Sequence, residues 1–327
     1  MKVSFEELKA QFKRVLLKQG FTEERAALCA QVFAENSRDG VYSHGLNRFP
    51  VFVQMVQEGL IDADAEPEKV GQNGVLERWD GHLAPGMYTA TKAMQRAIEL
   101  AKEKGMGGVA VKNTNHWMRA GSYGWQAADA GCVGICATNT IANMPPWGGS
   151  EPRLGNNPLV IAIPRKEGHI VLDMAMSQFS YGKLQEYELQ GKELPVEGGY
   201  DEEGHLSKDP AKIRKTERPL PIGFWKGSGL SLVIDALVAS LSGGRSVAQI
   251  TAAGNEAGVS QLFLCINASN LDETISRGII EYTKSSQALG GQGEIRYPGE
   301  SSLATRHRNE KEGIPVNEEI WKQVLDL

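Results

Sequence analysis

Phe5, Leu8, Phe12, Val15 and Leu16 recur at the three-and-four spacing of one helix face. Ser4-Phe5-Glu6-Glu7 ahead of them has the form of a capping box, and Gly20 supplies a stop. Thr22 caps a second helix that runs through Leu28, Val32 and Phe33 towards Gly40. A third apolar stretch covers residues 49–59, with Pro50 near its start. The first sixty residues are thus expected to be wholly helical. Near residue 75 the pattern changes. Residues 94–104 read as a helix closed by Gly105, 108–111 as a buried strand, 122–130 as a helix and 133–138 as a strand. Residues 159–163 and 170–172 are short β-branched strands that can form a hairpin around Lys166-Glu167-Gly168. Residues 227–241 are helical and 261–266 form a strand. Residues 192–220, rich in Gly, Pro and charge, read as a long surface excursion. After 270 the chain turns helical, meets Gly290-Gly291-Gln292-Gly293, and ends in a helix over 317–327.

Alternating strands and helices predict an α/β core. The helical start and end are expected to pack together beside it. The implied division is a helical unit of residues 1–72 with 272–327, and an α/β core of residues 73–271 that binds cofactor and substrate.

Composition narrows the class. The chain has 327 residues and a net charge of −5, with no basic block, which argues against nucleic acid as a partner. Residues 230–241 form the best apolar window. It is short and holds Asp235, so it predicts a core helix and no membrane span. Glu6, Glu7 and Lys9 interrupt any signal-peptide pattern. The cysteines at 29, 132, 136 and 265 lack a paired C-x-x-C spacing, and Cys132 and Cys136 read as small core residues. A cytoplasmic location follows as the expectation.

Several chemistries lack their signature. There is no P-loop, no G-x-G-x-x-G after a strand, no G-x-S-x-G elbow and no tight histidine spacing for a metal. Two histidines stand in unusual company. In Tyr42-Ser43-His44-Gly45-Leu46-Asn47-Arg48, if His44 opens a helix, Arg48 lies one turn on and both can face one cleft. A guanidinium that grips a carboxylate beside an imidazole that gives a proton suits a keto acid. A helix-cap histidine with a surface arginine is the plainer alternative. His116 sits in Asn115-His116-Trp117-Met118-Arg119, between a buried strand and a helix. Such strand ends are where open α/β sheets collect ligands, although an ordered polar loop would look the same. Met144-Pro145-Pro146-Trp147-Gly148-Gly149, Asp173-Met174-Ala175-Met176-Ser177 and Phe224-Trp225-Lys226-Gly227-Ser228-Gly229 are also locally odd.

Taken together, these segments resemble the malate/L-lactate dehydrogenase family, over nearly the whole chain. Gly40-Val41-Tyr42-Ser43-His44-Gly45 and Asn47-Arg48-Phe49-Pro50 carry the resemblance along with the His116, Pro-Pro-Trp-Gly and Trp225 segments. The Trp after His116 and the Pro-Pro-Trp-Gly loop favour the branch that reduces diketogulonate. Pro298-Gly299-Glu300-Ser301 departs from the Pro-Gly-His-Glu typical of that branch. The resemblance implies a non-Rossmann, sulfolactate dehydrogenase-like α/β fold, a homodimer, and NADH or NADPH in an extended groove. It implies reduction of a 2-oxo acid by hydride transfer, with a 2,3-diketo sugar acid as the expected substrate. Other reactions of the family are the alternative: malate, lactate, sulfolactate or ureidoglycolate oxidation, or cyclic imino acid reduction. A non-catalytic binding protein is the rival of a different class. By position, His44 matches a proton donor, His116 a residue with an acid/base role, and Arg48 a carboxylate contact. The cofactor segment falls on His169, Ile170, Val171, Leu172, Asp173, Met174 and Ala175. Further contacts fall on Trp225, Lys226, Gly299, Glu300 and Ser301. Arg165, Lys166 or His169 beside the adenosine ribose would favour NADPH.

Overall fold

The computed structural model describes residues 1–291 and 293–327, and Gln292 of the expected Gly-rich turn lies outside them. The chain starts with β1 (Lys2–Val3), so the expectation of a wholly helical start fails at its first residues. Helix α1 (Phe5–Lys18) follows, with Ser4 Oγ accepting the Glu7 amide at its N-terminus. Helix α2 (Glu23–Arg38) is capped by Thr22. Two single 3₁₀ turns, Tyr42–His44 and Leu46–Arg48, lead into α3 (Phe49–Gln57). Next come β2 (Glu68–Asn73), β3 (Leu76–Asp80) and α4 (Gly86–Lys104), which Gly105 closes in a left-handed conformation. The centre of the chain holds β4 (Met106–Asn115), α5 (Gly121–Asp129), β5 (Cys132–Thr138), β6 (Leu159–Ile163) and β7 (Ile170–Met174). An excursion carries α6 (Tyr181–Leu189), β8 (Gly199–Tyr200), β9 (Leu206–Ser207) and α7 (Pro210–Thr216). Then follow α8 (Trp225–Ser242), α9 (Val247–Ala252), β10 (Ala257–Asn267) and α10 (Glu273–Lys284). The chain ends with α11 (Glu300–Glu312), β11 (Ile314–Pro315) and α12 (Glu318–Asp326).

Seven strands form one sheet in the order β2-β3-β4-β10-β5-β6-β7. The β3–β4 pair is parallel and the other neighbours are antiparallel. Strand alternation divides the side chains between two layers. Val109, Val111, Phe263 and Cys265 face α4 and α5, whereas Ala110 and Leu262 face Ile234 and Val238 of α8. Strand β7 is an edge, and β2 is the other. Because β2 belongs to the sheet, the α/β unit begins before the boundary expected at residue 72/73.

Phe12, Phe33, Phe49 and Phe52 pack in tilted and edge-to-face pairs at the centre of a separate helical core. Trp321 and Val324 of α12 and Ile314 of β11 join it. Strand β1 pairs with β11, so the two chain ends meet there.

Two expectations change. Residues 192–220 are more than a loop: Leu194 and Ile213 join Leu184 in a small core of their own. That unit is pinned at its base where Gln178 N donates to Leu220 O and Ile222 N to Met176 O. Helix α8 is also not a core helix throughout. Ser231, Ile234 and Val238 are buried, but Leu232, Val233 and Leu237 are exposed. A helix that is apolar all round needs a second surface on that far side. Among the described residues, no helix is long and apolar enough to cross a membrane.

Candidate active site

A cleft of about 1060 Å³ lies between the helical layer and the sheet. That is at the upper end of the range for small-molecule and cofactor sites, roughly 300–1,000 Å³. His44, Arg48, His116, Asp173, Glu256 and Gly299 all line it. The two 3₁₀ turns place the first pair. A Cβ on Gly45 would lie 2.2 Å from Ser37 Oγ, so the turn packs directly onto α2. Ser37 Oγ accepts the Leu46 amide at 2.9 Å, and Asn36 Nδ2 donates to the His44 carbonyl at 2.9 Å. His116 follows β4, whose last residue, Asn115, is held by its Nδ2 bond to Leu83 O at 2.7 Å.

The rings of His44 and His116 stack with centroids 5.7 Å apart. Their environments differ. The Met118 amide donates to Nδ1 of His116 at 3.0 Å, which requires that nitrogen to be bare. The bond exists because Met118 adopts a left-handed backbone with φ 66°. Burial, with Arg48 and His44 nearby, pushes the His116 pKa well below its usual 6.5. Both features favour the neutral imidazole with its proton on Nε2. His44 has Ser43 Oγ at 3.0 Å from Nδ1. A hydroxyl donates to a bare nitrogen and accepts from a protonated one, so this partner serves both states. Burial lowers the His44 pKa too, assisted by Arg48 and Arg119, but Asp173 acts in the opposite direction.

Asp173 is held firmly. Its Oδ2 accepts the Gly121 amide at 2.9 Å and lies 3.5 Å from Arg119 Nε. A Cβ at residue 121 would sit 2.5 Å from the same oxygen, so a glycine is needed there. Arg119 is fixed in turn by Asp39, at 2.7 Å, which also receives two bonds from Arg306. Sequence reasoning missed Asp39 as part of the site, because its partners are brought to it only by folding.

Arg48 Nη2 lies 3.9 Å from Glu256 Oε2. Burial raises the Glu256 pKa, against the pull of Arg48 and the Ile141 amide. Glu256 was also missed. The only trace in the sequence is a lone acid between Gly254 and Gly258 at the start of an apolar strand. Beside it, Thr140, Asn143 and Asn156 continue the polar wall of the cleft.

The expected cofactor segment is divided. Val171, Leu172, Asp173 and Ala175 line the cleft, as does Gly299. Val171 N donates outward to Pro298 O at 2.9 Å. By strand alternation the Asp173 amide points the same way. Gly299, at φ +97°, lets the chain approach so closely that a Cβ would meet Val171 N at 3.0 Å. An edge strand with outward backbone groups and a cleft of this size fit a nicotinamide nucleotide. Ile170 and Met174, at the two ends of β7, lie outside the cleft lining. His169 is engaged elsewhere, with Nε2 on Asp129 at 2.9 Å and Nδ1 accepting the Arg165 amide. Glu300 pairs with Lys284, and Ser301 accepts from Arg296. Trp225 and Lys226 start α8 beside the Trp147–Phe224 ring pair, and neither lines the cleft.

A family model described as malate/L-lactate dehydrogenase matches residues 3–325. A 2,3-diketo-L-gulonate reductase from Citrobacter koseri is 48% identical, over all of both chains. Among solved structures, malate dehydrogenase from Entamoeba histolytica superposes with a TM-score of 0.92 at 27% identity, covering 100% of this chain and 96% of that one. Sulfolactate dehydrogenase from Methanocaldococcus jannaschii gives 0.88 at 31% identity, with the same coverage.

Proposed function

The chain belongs to the malate/L-lactate dehydrogenase family, and we propose that it reduces 2,3-diketo-L-gulonate to 3-dehydro-L-gulonate with NADH. The observation that carries this reading is the placement of a donor-competent His44, a neutral His116 and Arg48 in one cleft with the β7 edge. Arg48 would hold the substrate carboxylate through paired N–H donors. His116 Nε2–H would bond to the C2 carbonyl oxygen and draw charge onto it. Val171, Leu172 and Gly299 of the β7 edge would hold a nicotinamide cofactor, whose chemistry there would be hydride donation to the carbonyl carbon. His44 would give its proton to the developing alkoxide and recover one from solvent. Asp173, held by Gly121 and Arg119, would favour the protonated state of His44 before that transfer.

Arg165 and His169 bear on cofactor choice. Arg165 donates to Gly168 O and lies over the Tyr297 ring, while His169 sits against Asp129. Their engagement, with a carboxylate beside His169, supports NADH over NADPH. The four cysteines are free, buried thiols, in keeping with a reducing compartment such as the cytoplasm. The exposed apolar faces of α8 and α10 support a homodimer.

The test is oxidation of NADH and of NADPH at 340 nm with 2,3-diketo-L-gulonate, pyruvate, oxaloacetate and a cyclic imino acid. Rapid turnover of the diketo acid with NADH is expected. Turnover of only another acid would reassign the substrate. No turnover and no nucleotide binding would favour a non-catalytic protein.

A further inference from the structure

A carboxylate and a carbonyl are fully served by Arg48, His44 and His116, yet the cleft offers further polar groups. Asn143 is tightly placed. Its amide donates to Leu154 O at 2.9 Å, its carbonyl accepts Tyr181 Oη at 3.1 Å, and its Nδ2 donates to Asn156 Oδ1 at 3.2 Å. Its Oδ1 is buried without a hydrogen-bond partner in the structure. Glu256 is similar. Its Oε1 receives only a long contact of 3.4 Å from the Ile141 amide, and its Oε2 faces Arg48 at 3.9 Å. A carboxylate has about four lone-pair sites, so acceptor capacity is left over. Both residues line the same cleft as the two histidines.

We infer that Asn143 and Glu256 form a specificity subsite that accepts hydrogen bonds from the hydroxylated tail of the substrate. This rests on the reading of the cleft as a 2-oxo acid reductase site, and it adds which substrates are preferred. Acceptors with unmet capacity in a cleft select for ligands that bring donors. The methyl group of pyruvate has none. The second carboxylate of oxaloacetate brings no proton to Asn143 Oδ1 and meets Glu256 as a like charge. A polyol tail brings several hydroxyls.

The test uses L-gulonate, a polyol acid with no carbonyl to reduce, and L-lactate, which has the same acid end without the tail. Each is titrated by calorimetry into the NADH-saturated full chain. The same is done for Asn143→Ala and Glu256→Gln. Wild type should prefer L-gulonate, and each variant should lose on the order of 10-fold in that preference, about one hydrogen bond. In turnover, the variants should raise KM for 2,3-diketo-L-gulonate more than they lower kcat. Equal affinity for both acids in wild type would overturn the subsite. So would variants that weaken both acids in step, since the residues would then act through Arg48 or the fold. Preference for gulonate that depends on these residues, without reduction of any 2-oxo acid, would sustain the subsite and sink the reductase reading. Reduction of the diketo acid with an unaltered preference in both variants would do the reverse.

Discussion

The imidazoles of His44 and His116 stack with their planes 18° from parallel, and only His44 has a hydrogen-bond partner that accommodates an added proton. The Ser43 hydroxyl can reverse its role, whereas the Met118 amide cannot. Reduction needs the protonated donor, so kcat/KM should be highest in acid and fall as pH rises through the His44 pKa. Burial places that pKa below 6.5. A profile from pH 5 to 9 checks this. His44→Gln should lose about 10²–10⁴-fold and flatten the slope. His116→Gln should be slower but keep it. The opposite pattern would exchange the two roles.

Arg48 reaches Glu256 only at 3.9 Å, which leaves its guanidinium free to take a planar carboxylate. Arg48→Ala should raise KM on the order of 100-fold with a smaller effect on kcat. Arg48→Lys should recover part of that loss, because it restores charge without the paired donors. Steady-state kinetics decide it. A fall in kcat at unchanged KM would mean that Arg48 acts on the reaction step and not on substrate binding.

Much of the fold can be read from the sequence, because local signals and burial agree. Ser4 and Thr22 cap their helices as their side chains predict, and β6 occupies the β-branched run at 159–163. Helix α8 departs from the expected core helix because hydrophobicity reports that a face avoids water, not what covers it. The unit around α6 and α7 was hidden because Leu184, Leu194 and Ile213 are spread thinly among charged residues. At the site, His44, Arg48 and His116 stand out through their neighbours in sequence. Asp39 and Glu256 do not, since each depends on an arginine that is remote along the chain.

Asp39 links α2, the His116 loop and α11 through Arg119 and Arg306, and its side chain is 3% exposed. Removing the carboxylate leaves the guanidiniums of Arg38, Arg119 and Arg306 clustered without the acid they share. Asp39→Ala should cost about 3–5 kcal/mol of stability, measured by urea unfolding at pH 7. The pair also sets an acid limit. Burial alone would raise the Asp39 pKa, but Arg306, Arg119 and Arg38 bring it below the ordinary 3.8. Its contribution is complete above 3.8 and is lost as pH falls through the lower native value. The variant should therefore be less sensitive to acid than wild type. A loss below about 1 kcal/mol would show that the network is not structurally important.

Helices α8 and α10 each carry a group of apolar side chains that this chain alone leaves in water. On α8 these are Leu232, Val233 and Leu237, and on α10 they are Ile275, Ile279 and Tyr282, the last 84% exposed. The α10 set follows the spacing of a single helix face, which indicates contact with one continuous surface. If that surface is a second copy, sedimentation should give twice the 35.6 kDa of one chain. Val233→Asp and Ile279→Asp should each place a carboxylate in the contact and yield monomers at micromolar concentration. Neither side chain is buried within the chain, so the fold should survive, and circular dichroism with a thermal melt checks this. If both variants sediment as wild type does, these faces are not where the copies meet. If only one dissociates, the interface uses that helix and leaves the other open.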